Sequence, residues 1–510
     1  MKSNENNEIF DVIVIGGGIN GTGIAADAAG RGLNVFLCEQ YDLASGTSSN
    51  SSKLIHGGLR YLEHYEFRLV REGLAEREVL LKNAPHIIKP LTFRLPHQHH
   101  LRPFWMIRIG LFLYDHLAKR VTLNGSKSFR FSQGSPLIDD IKRGFEYSDA
   151  WVDDSRLVVL NAISAKANGA KIYTRKKCIN VQRLKKFWLV HIEDTVTGEV
   201  FTIKSAAIVN AAGPWVASLF TDAFQMNSPQ KIRLVKGSHI VVPRVHEEKE
   251  AYILQNKDKR IVFVLPFEDN FSLIGTTDVE VEGKPEKVGI TDEEIEYLIS
   301  ITNSYFKNKI SKLDVVHTFS GVRPLLDDNS DSAQFVTRDY TLELDDSDGM
   351  PPIISIFGGK ITTYRKLAEA AVDKLSQLFP NMKSRWTEYA LLPGGNFANK
   401  TMLIKQFVEH YPWVPKPTLS RYVNSYGTLS NQILGNTKCE RDLGLDFGAG
   451  LYEVEVKYLI NNEWACNLED IIWRRTKLGL YLTKMEKDVL TAYIQQYLKL
   501  LTADRCDKVL

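Results

Sequence analysis

Residues 11–15 form a short apolar run of strand character, and a glycine-rich turn leads from it into the alanine-rich stretch 24–29, which predicts a helix. Residues 33–37 are apolar again. Strand, glycine turn, helix and strand within about 30 residues predict a βαβ unit, whose right-handed crossover implies a parallel sheet. From residue 150 the pattern changes to paired strands. Runs at 170–173, 188–193 and 200–203 are punctuated by the turn-like pair Thr197-Gly198, and the run 206–210 ends in Ala211, Ala212, Gly213 and Pro214. Strands at 238–242, 261–265 and 271–274 and a helix over 292–306 follow, giving the middle of the chain a mainly antiparallel character. The run 353–357, then Gly358-Gly359 and a helix over 362–378, returns the chain to its first sheet. After Leu392-Pro393-Gly394-Gly395, residues 399–510 show helical periodicity with few strand candidates.

Length and composition change this picture little. The chain of 510 residues has room for two or three domains, since single cores seldom grow past roughly 300 residues. An apolar fraction of 44% and a charged fraction of 25% exclude a mainly disordered or fibrous chain. Cys38, Cys178, Cys439, Cys466 and Cys506 are scattered and form no C-x-x-C pair, so neither a disulfide framework nor a zinc site is suggested. The cluster His97, His99 and His100 lacks acidic or cysteine partners and reads as surface. No metal site is expected. The N-terminus is polar and acidic, unlike a signal or transit peptide, so the expected location is cytoplasmic.

The net charge of +3 argues against a nucleic-acid partner. Its distribution is uneven. Residues 86–143 contain ten Lys and Arg against three Asp, a local +7, which leaves about −4 for the rest. Within that segment, residues 101–120 predict a helix. Arg102, Arg108, Asp115, His116 and Lys119 fall in one stripe about 140° wide, and Phe104, Trp105, Ile107, Ile109, Leu111, Phe112, Leu113 and Tyr114 occupy the remainder and reach into that stripe. Burial against the substrate domain is one reading of this helix. Lying in a membrane interface is the other, favoured by the local charge and by Trp and Tyr.

The first chemistry appears at Gly16, Gly18 and Gly21, which form G-x-G-x-x-G between strand and helix, with Glu39 ending the next strand. The glycines allow a tight turn and close approach to a pyrophosphate, the helix N-terminus stabilises its charge, and the carboxylate accepts from a ribose. NAD and FAD both use this fingerprint. The stretch Thr47-Ser48-Ser49-Asn50-Ser51-Ser52-Lys53-Leu54-Ile55-His56-Gly57-Gly58-Leu59-Arg60-Tyr61 then offers hydroxyls for phosphate oxygens and a glycine pair for approach to a flat ring. Taken alone it reads equally as a polar loop entering a helix.

With Arg143 to Asp149, Asn210 to Trp215, Lys236-Gly237-Ser238-His239, Ser320-Gly321-Val322-Arg323-Pro324 and Phe357-Gly358-Gly359-Lys360 in the same order, the chain resembles the aerobic FAD-dependent glycerol-3-phosphate dehydrogenases of bacteria, within the D-amino-acid-oxidase-like flavoproteins. The resemblance implies an α/β fold. A Rossmann-like FAD-binding domain (1–85, 150–225 and 352–390) is interleaved with a mainly antiparallel substrate domain (86–149 and 226–351), and an α-helical C-terminal domain (391–510) follows.

It further implies FAD contacts at Gly16, Gly18, Gly21, Glu39, Ser48, Ser52, Lys53 and His56. Gly358 and Gly359 would open a helix aimed at the flavin pyrimidine ring, favouring the anionic reduced form. Arg323 and Arg338 match the family's phosphate site, with Arg60 and Lys360 as further cations and Tyr61 as a hydroxyl donor. His239 matches the family's active-site histidine and, with Arg323, is the expected catalytic pair; whether it takes the proton or orients the hydroxyl stays open. The implied reaction is sn-glycerol 3-phosphate to dihydroxyacetone phosphate with FAD reduction and a membrane quinone as acceptor. That would place the protein on the inner face of the cell membrane; a homodimer is compatible with the sequence. The rivals are a glycerol-3-phosphate oxidase passing electrons to oxygen, an amine or amino-acid oxidase, and a silent FAD-binding membrane protein.

Overall fold

The computed structural model describes residues 8–327 and 339–507, with the side chains of Arg60, His64, Lys287, Asp348 and 502–507 left aside. Ile9–Ile15, an almost wholly buried strand, lies between Val200–Asn210 and Val35–Glu39, parallel to both. Ile353–Gly358 and Lys171–Thr174 extend the parallel array on either side. Strands buried on both faces explain why these segments read as near-continuous apolar runs. The helices Ile19–Gly30, Asp154–Ala167 and Tyr364–Asp373 cover one face through a core that includes Val12, Val14, Ile24, Leu157 and Leu367. The expected parallel βαβ start and the α/β class are both present.

The second sheet has ten strands and is antiparallel apart from the pairing of Ala251–Gln255 with Ile88–Pro96. Its longest strand, Ile232–Pro243, runs beside His317–Leu326 and Phe271–Gly275. The helix Asp292–Tyr305 starts at a capping box between Thr291 and Glu294. Residues 400–507 form helices around a core of their own, including Leu419, Tyr422, Leu459 and Leu490.

Some elements depart from the sequence reading. The runs 200–203 and 206–210 are one strand, Val200–Asn210. Tyr340–Asp345, placed by sequence in the substrate portion, pairs with Ile353–Gly358 in the first sheet. Leu54–Ile55, placed in the FAD-binding portion, pairs with Arg143–Val152 in the second. After Gly359 a tight helical turn, Ile361–Thr363, precedes the helix Tyr364–Asp373, which ends short of 378.

The helix expected at 101–120 is Phe104–His116, and its buried residues are Leu111 and Tyr114. Trp105, Ile109 and Phe112 are more than half exposed, at 62, 51 and 52%. The expected polar stripe is therefore interrupted: Arg108 and Asp115 turn inward to Ser126, while three large apolar side chains face outward. Among the described residues no helix is long and apolar enough to cross a membrane.

Candidate active site

A cavity of about 1800 Å³ runs between the two sheets, lined at one end by Glu39 and Gly18 and at the other by Arg323 and Lys360. Sites for small ligands usually measure roughly 300–1,000 Å³, so this one has room for a dinucleotide and a substrate together. At its nucleotide end the glycines have separate roles. Gly16 has φ +116°, and a Cβ there would meet the Ala211 carbonyl oxygen at 2.5 Å. A Cβ on Gly21 would stand 1.9 Å from the Gly16 carbonyl oxygen, so Gly21 lets the helix sit against the turn. Gly18 caps that helix beside Ser48, whose hydroxyl accepts from the Ile19 amide at 3.0 Å. Glu39 accepts from the amides of Gly17 (2.7 Å) and Tyr41 (2.8 Å), which tie the cradle together. Burial pushes its carboxyl up, against those two bonds. Gly358 and Gly359, both at positive φ, line the far end, and a Cβ at Gly358 would meet the Asp339 carbonyl oxygen at 2.7 Å. This path of bare backbone from Glu39 to Gly359 fits FAD.

The serine-rich stretch divides into lining and anchoring residues. Ser48, Ser52 and His56 line the cavity. Lys53 does not; it is buried in an ion pair with Asp154 (2.7 Å) and donates to the Ser49 carbonyl, so its expected cofactor contact is replaced by a clamp on the loop. The Gly57 amide donates to the Tyr114 hydroxyl at 2.9 Å, and that hydroxyl donates to Asp149, which is paired with Arg77. The backbone just after His56 is thus held by a buried polar chain that runs through Tyr114 of the Phe104–His116 helix. Burial, then the charges of Lys360 and Arg77, lowers the His56 pKa to about 4, which keeps the imidazole neutral at pH 7.

At the other end, Lys360 Nζ lies 3.8 Å from the centre of the Tyr61 ring, and both residues line the cavity. Arg323 also lines it, ion-paired with Asp278 and donating to Thr276 Oγ1 at 3.2 Å. The Arg60 side chain and the whole of Arg338 lie outside the described residues. His239 is placed differently from the expectation. It is 1% exposed, stacks on Phe319, and does not line the cavity; its Nε2 lies 2.9 Å from Ser52 Oγ. Burial, then Arg323 and Lys53, holds its pKa well below the usual histidine range. The neighbouring Lys236 and Ser238 turn to the opposite face and bind Glu294, so half of the K-G-S-H motif anchors the strand.

Sequence reasoning missed Asp278, Thr276, Asp149 and Tyr114. Asp149 did sit in a stretch marked by resemblance, but nothing around Asp278 gave a local signal. Each acts through partners far away in the chain.

Comparison with known proteins identifies the family. Residues 11–365 match the FAD-dependent oxidoreductase family, and residues 385–506 match the C-terminal domain of alpha-glycerophosphate oxidase. The chain is 55% identical over 489 residues to a glycerol-3-phosphate dehydrogenase of Pseudomonas aeruginosa, covering 96% of this chain and 95% of that protein. It is 54% identical over 491 residues to the aerobic glycerol-3-phosphate dehydrogenase of Escherichia coli (96% and 98% covered). A D-erythritol 1-phosphate dehydrogenase of Brucella abortus is 49% identical (94% and 96% covered). Among solved structures, a glycerol-3-phosphate dehydrogenase from Bacillus halodurans complexed with FAD aligns with TM-score 0.74 at 26% identity, covering 97% of this chain and 95% of that one. The cradle, the two-sheet cavity and these relatives together show that the chain belongs to the FAD-dependent oxidoreductases, in the branch of the FAD-dependent glycerol-3-phosphate dehydrogenases.

Proposed function

We propose that this protein oxidises sn-glycerol 3-phosphate at C2 to dihydroxyacetone phosphate and delivers the electrons to a quinone in the membrane. The observation that carries this reading is the placement of Lys360, Tyr61 and Arg323 in the same cavity as the FAD cradle, with Lys360 a cation suited to a phosphate monoester and Arg323, paired with Asp278, a group suited to the rest of the substrate. Bound FAD supplies the hydride acceptor. The chain's own residues bind the phosphate, orient the alcohol and take its proton.

His56 is a neutral imidazole that lines the cavity next to Lys360 and Thr362, whereas the other lining imidazole, His100, is exposed, so we assign His56 the C2 hydroxyl proton. His239 supports the reaction from behind Ser52. Lys360 is one of the charges that depress His56. A phosphate dianion at Lys360 offsets that charge and makes His56 a stronger base when substrate is present.

The quinone reading rests on the Phe104–His116 helix, which lies within the cationic segment 86–143 and exposes Trp105, Phe112 and, at the edge of the cavity, Ile109. Such a face fits the interface of an anionic membrane, on the cytoplasmic side in the sequence reading. A second reading, a phosphorylated four-carbon polyol as substrate, is supported by the similarity to the Brucella abortus enzyme. Anaerobic mixing of the holoenzyme with glycerol 3-phosphate and with erythritol phosphate, followed by flavin absorbance, separates the two. Peroxide yield in air separates a dehydrogenase from an oxidase.

A further inference from the structure

One carboxylate breaks the cationic wall of the cavity. Asp278 lines it and pairs through Oδ1 with Arg323 Nη1. The fork is closed on its other side, where Arg323 Nη2 donates to Thr276 Oγ1 at 3.2 Å and that hydroxyl in turn donates to the Thr277 carbonyl at 2.9 Å. Room for this arrangement comes from Gly237, where a Cβ would stand 2.5 Å from both Arg323 Nη2 and Thr276 Oγ1. Both terminal nitrogens of Arg323 are therefore already engaged. The guanidinium holds the carboxylate as much as it faces the cavity.

The second Asp278 oxygen has no hydrogen-bond partner among the described residues and is not sealed from solvent space, although the side chain is only 13% exposed. Open to the cavity, that oxygen can accept from a donor on the substrate, and a largely buried carboxylate binds such a donor more strongly than a neutral acceptor does. Phosphate cannot be that group, because a dianion beside a carboxylate is repelled. The phosphate of a three-carbon substrate must point away from Asp278, which leaves the hydroxyl at the opposite end of the carbon chain nearest to it.

We infer that Asp278, fixed by Arg323, recognises the terminal C1 hydroxyl of a polyol phosphate, so that the site selects vicinal diols carrying a phosphate over simple secondary-alcohol phosphates. This rests on the polyol-phosphate reading given above. Asp278 determines specificity, and the phosphate is held at the Lys360 side.

The test compares sn-glycerol 3-phosphate with the analogue lacking only the terminal hydroxyl, propane-1,2-diol 1-phosphate of the same configuration, using anaerobic flavin reduction in the holoenzyme. Wild type should favour sn-glycerol 3-phosphate by at least about a hundredfold in kcat/KM, since a site built around a substrate hydroxyl rejects the analogue lacking it. In Asp278→Ala that preference should fall below about tenfold, with the analogue lacking the terminal hydroxyl the less affected of the two. Asp278→Ser serves if the alanine variant loses flavin. A wild-type preference within about threefold overturns the inference whatever the variants do. So does an unchanged preference in a variant that slows both substrates equally, because Asp278 would then act only by holding Arg323. If neither compound reduces the wild-type flavin, the polyol-phosphate reading itself fails, and this inference with it.

Discussion

Ser52 stands between His239 and the cavity: its hydroxyl lies 2.9 Å from the Nε2 of an imidazole that is itself only 1% exposed. If His239 acts through Ser52, removing either partner breaks the same connection. Ser52→Ala and His239→Ala should each slow flavin reduction by about tenfold or more, and the double variant should be no slower than the worse single one. Rapid mixing under anaerobic conditions measures all three. Slowing factors that multiply would show that the two residues work independently.

The nucleotide cradle predicts a ranking among its own residues. Gly21→Ala drives a methyl into the Gly16 carbonyl and should abolish FAD binding or folding, whereas Gly18→Ala meets only the Ser48 hydroxyl at 3.1 Å and should be tolerated better. Gly18→Val, with branching toward the pyrophosphate, should lose FAD. Glu39→Gln turns an amide donor toward one of the backbone donors Gly17 and Tyr41, so it should weaken FAD beyond the loss of a ribose bond. Flavin-to-protein ratio and the thermal midpoint of each variant check the order.

The C-terminal helices are fastened to the loop behind Glu39 by charge. Asp42 accepts from Arg474 at 2.6 Å and from Arg475 at 2.6 and 2.8 Å, and burial of its carboxyl is outweighed chiefly by Arg475, which holds it below the usual range. Arg475→Ala leaves a buried carboxylate short of its main partner and should cost about 3–5 kcal/mol of stability, with faster FAD release. Replacing Asp42 and Arg475 together by apolar residues should cost less than the single change. Denaturant unfolding and fluorescence of released flavin read both effects.

The outward face of the Phe104–His116 helix carries the membrane proposal. Trp105→Ser and Phe112→Ser together should remove binding to anionic vesicles, since each side chain contributes about 1 kcal/mol or more of apolar transfer and neither lines the cavity. Reduction of the flavin by substrate in detergent-free buffer should be unaffected, while reduction of vesicle-held quinone falls. Equal co-sedimentation of wild type and variant would assign the face to another partner.

Much of the fold was legible because the parallel strands are buried on both sides, so 11–15 and 353–357 stand out as apolar runs without reference to partners. Strand membership was not legible where it depends on pairing across long separations. Leu54–Ile55 joined the second sheet for that reason, pairing with Arg143–Val152, whereas Tyr340–Asp345 pairs with the next strand, Ile353–Gly358, and was missed because it is half-buried along its whole length and carries no apolar run. In the site, the glycines could be read because their role is in the backbone. His239 could be placed on the cavity-facing side of its strand with Gly237, but Ser52, 187 residues away, covers it. The Phe104–His116 helix is apolar nearly all round, so periodicity could not tell the buried Leu111 and Tyr114 from the exposed Trp105 and Phe112.

The most direct measurement is the absorbance of the bound flavin when the purified holoenzyme is mixed without oxygen with sn-glycerol 3-phosphate, run in parallel on Arg323→Ala. Rapid, complete bleaching is expected in the wild type, and the variant should keep its flavin but lose at least about a hundredfold in kcat/KM, on the order of 3 kcal/mol of transition-state stabilisation. A wild-type flavin left oxidised by this substrate, or a variant reduced as fast as wild type, would contradict that expectation.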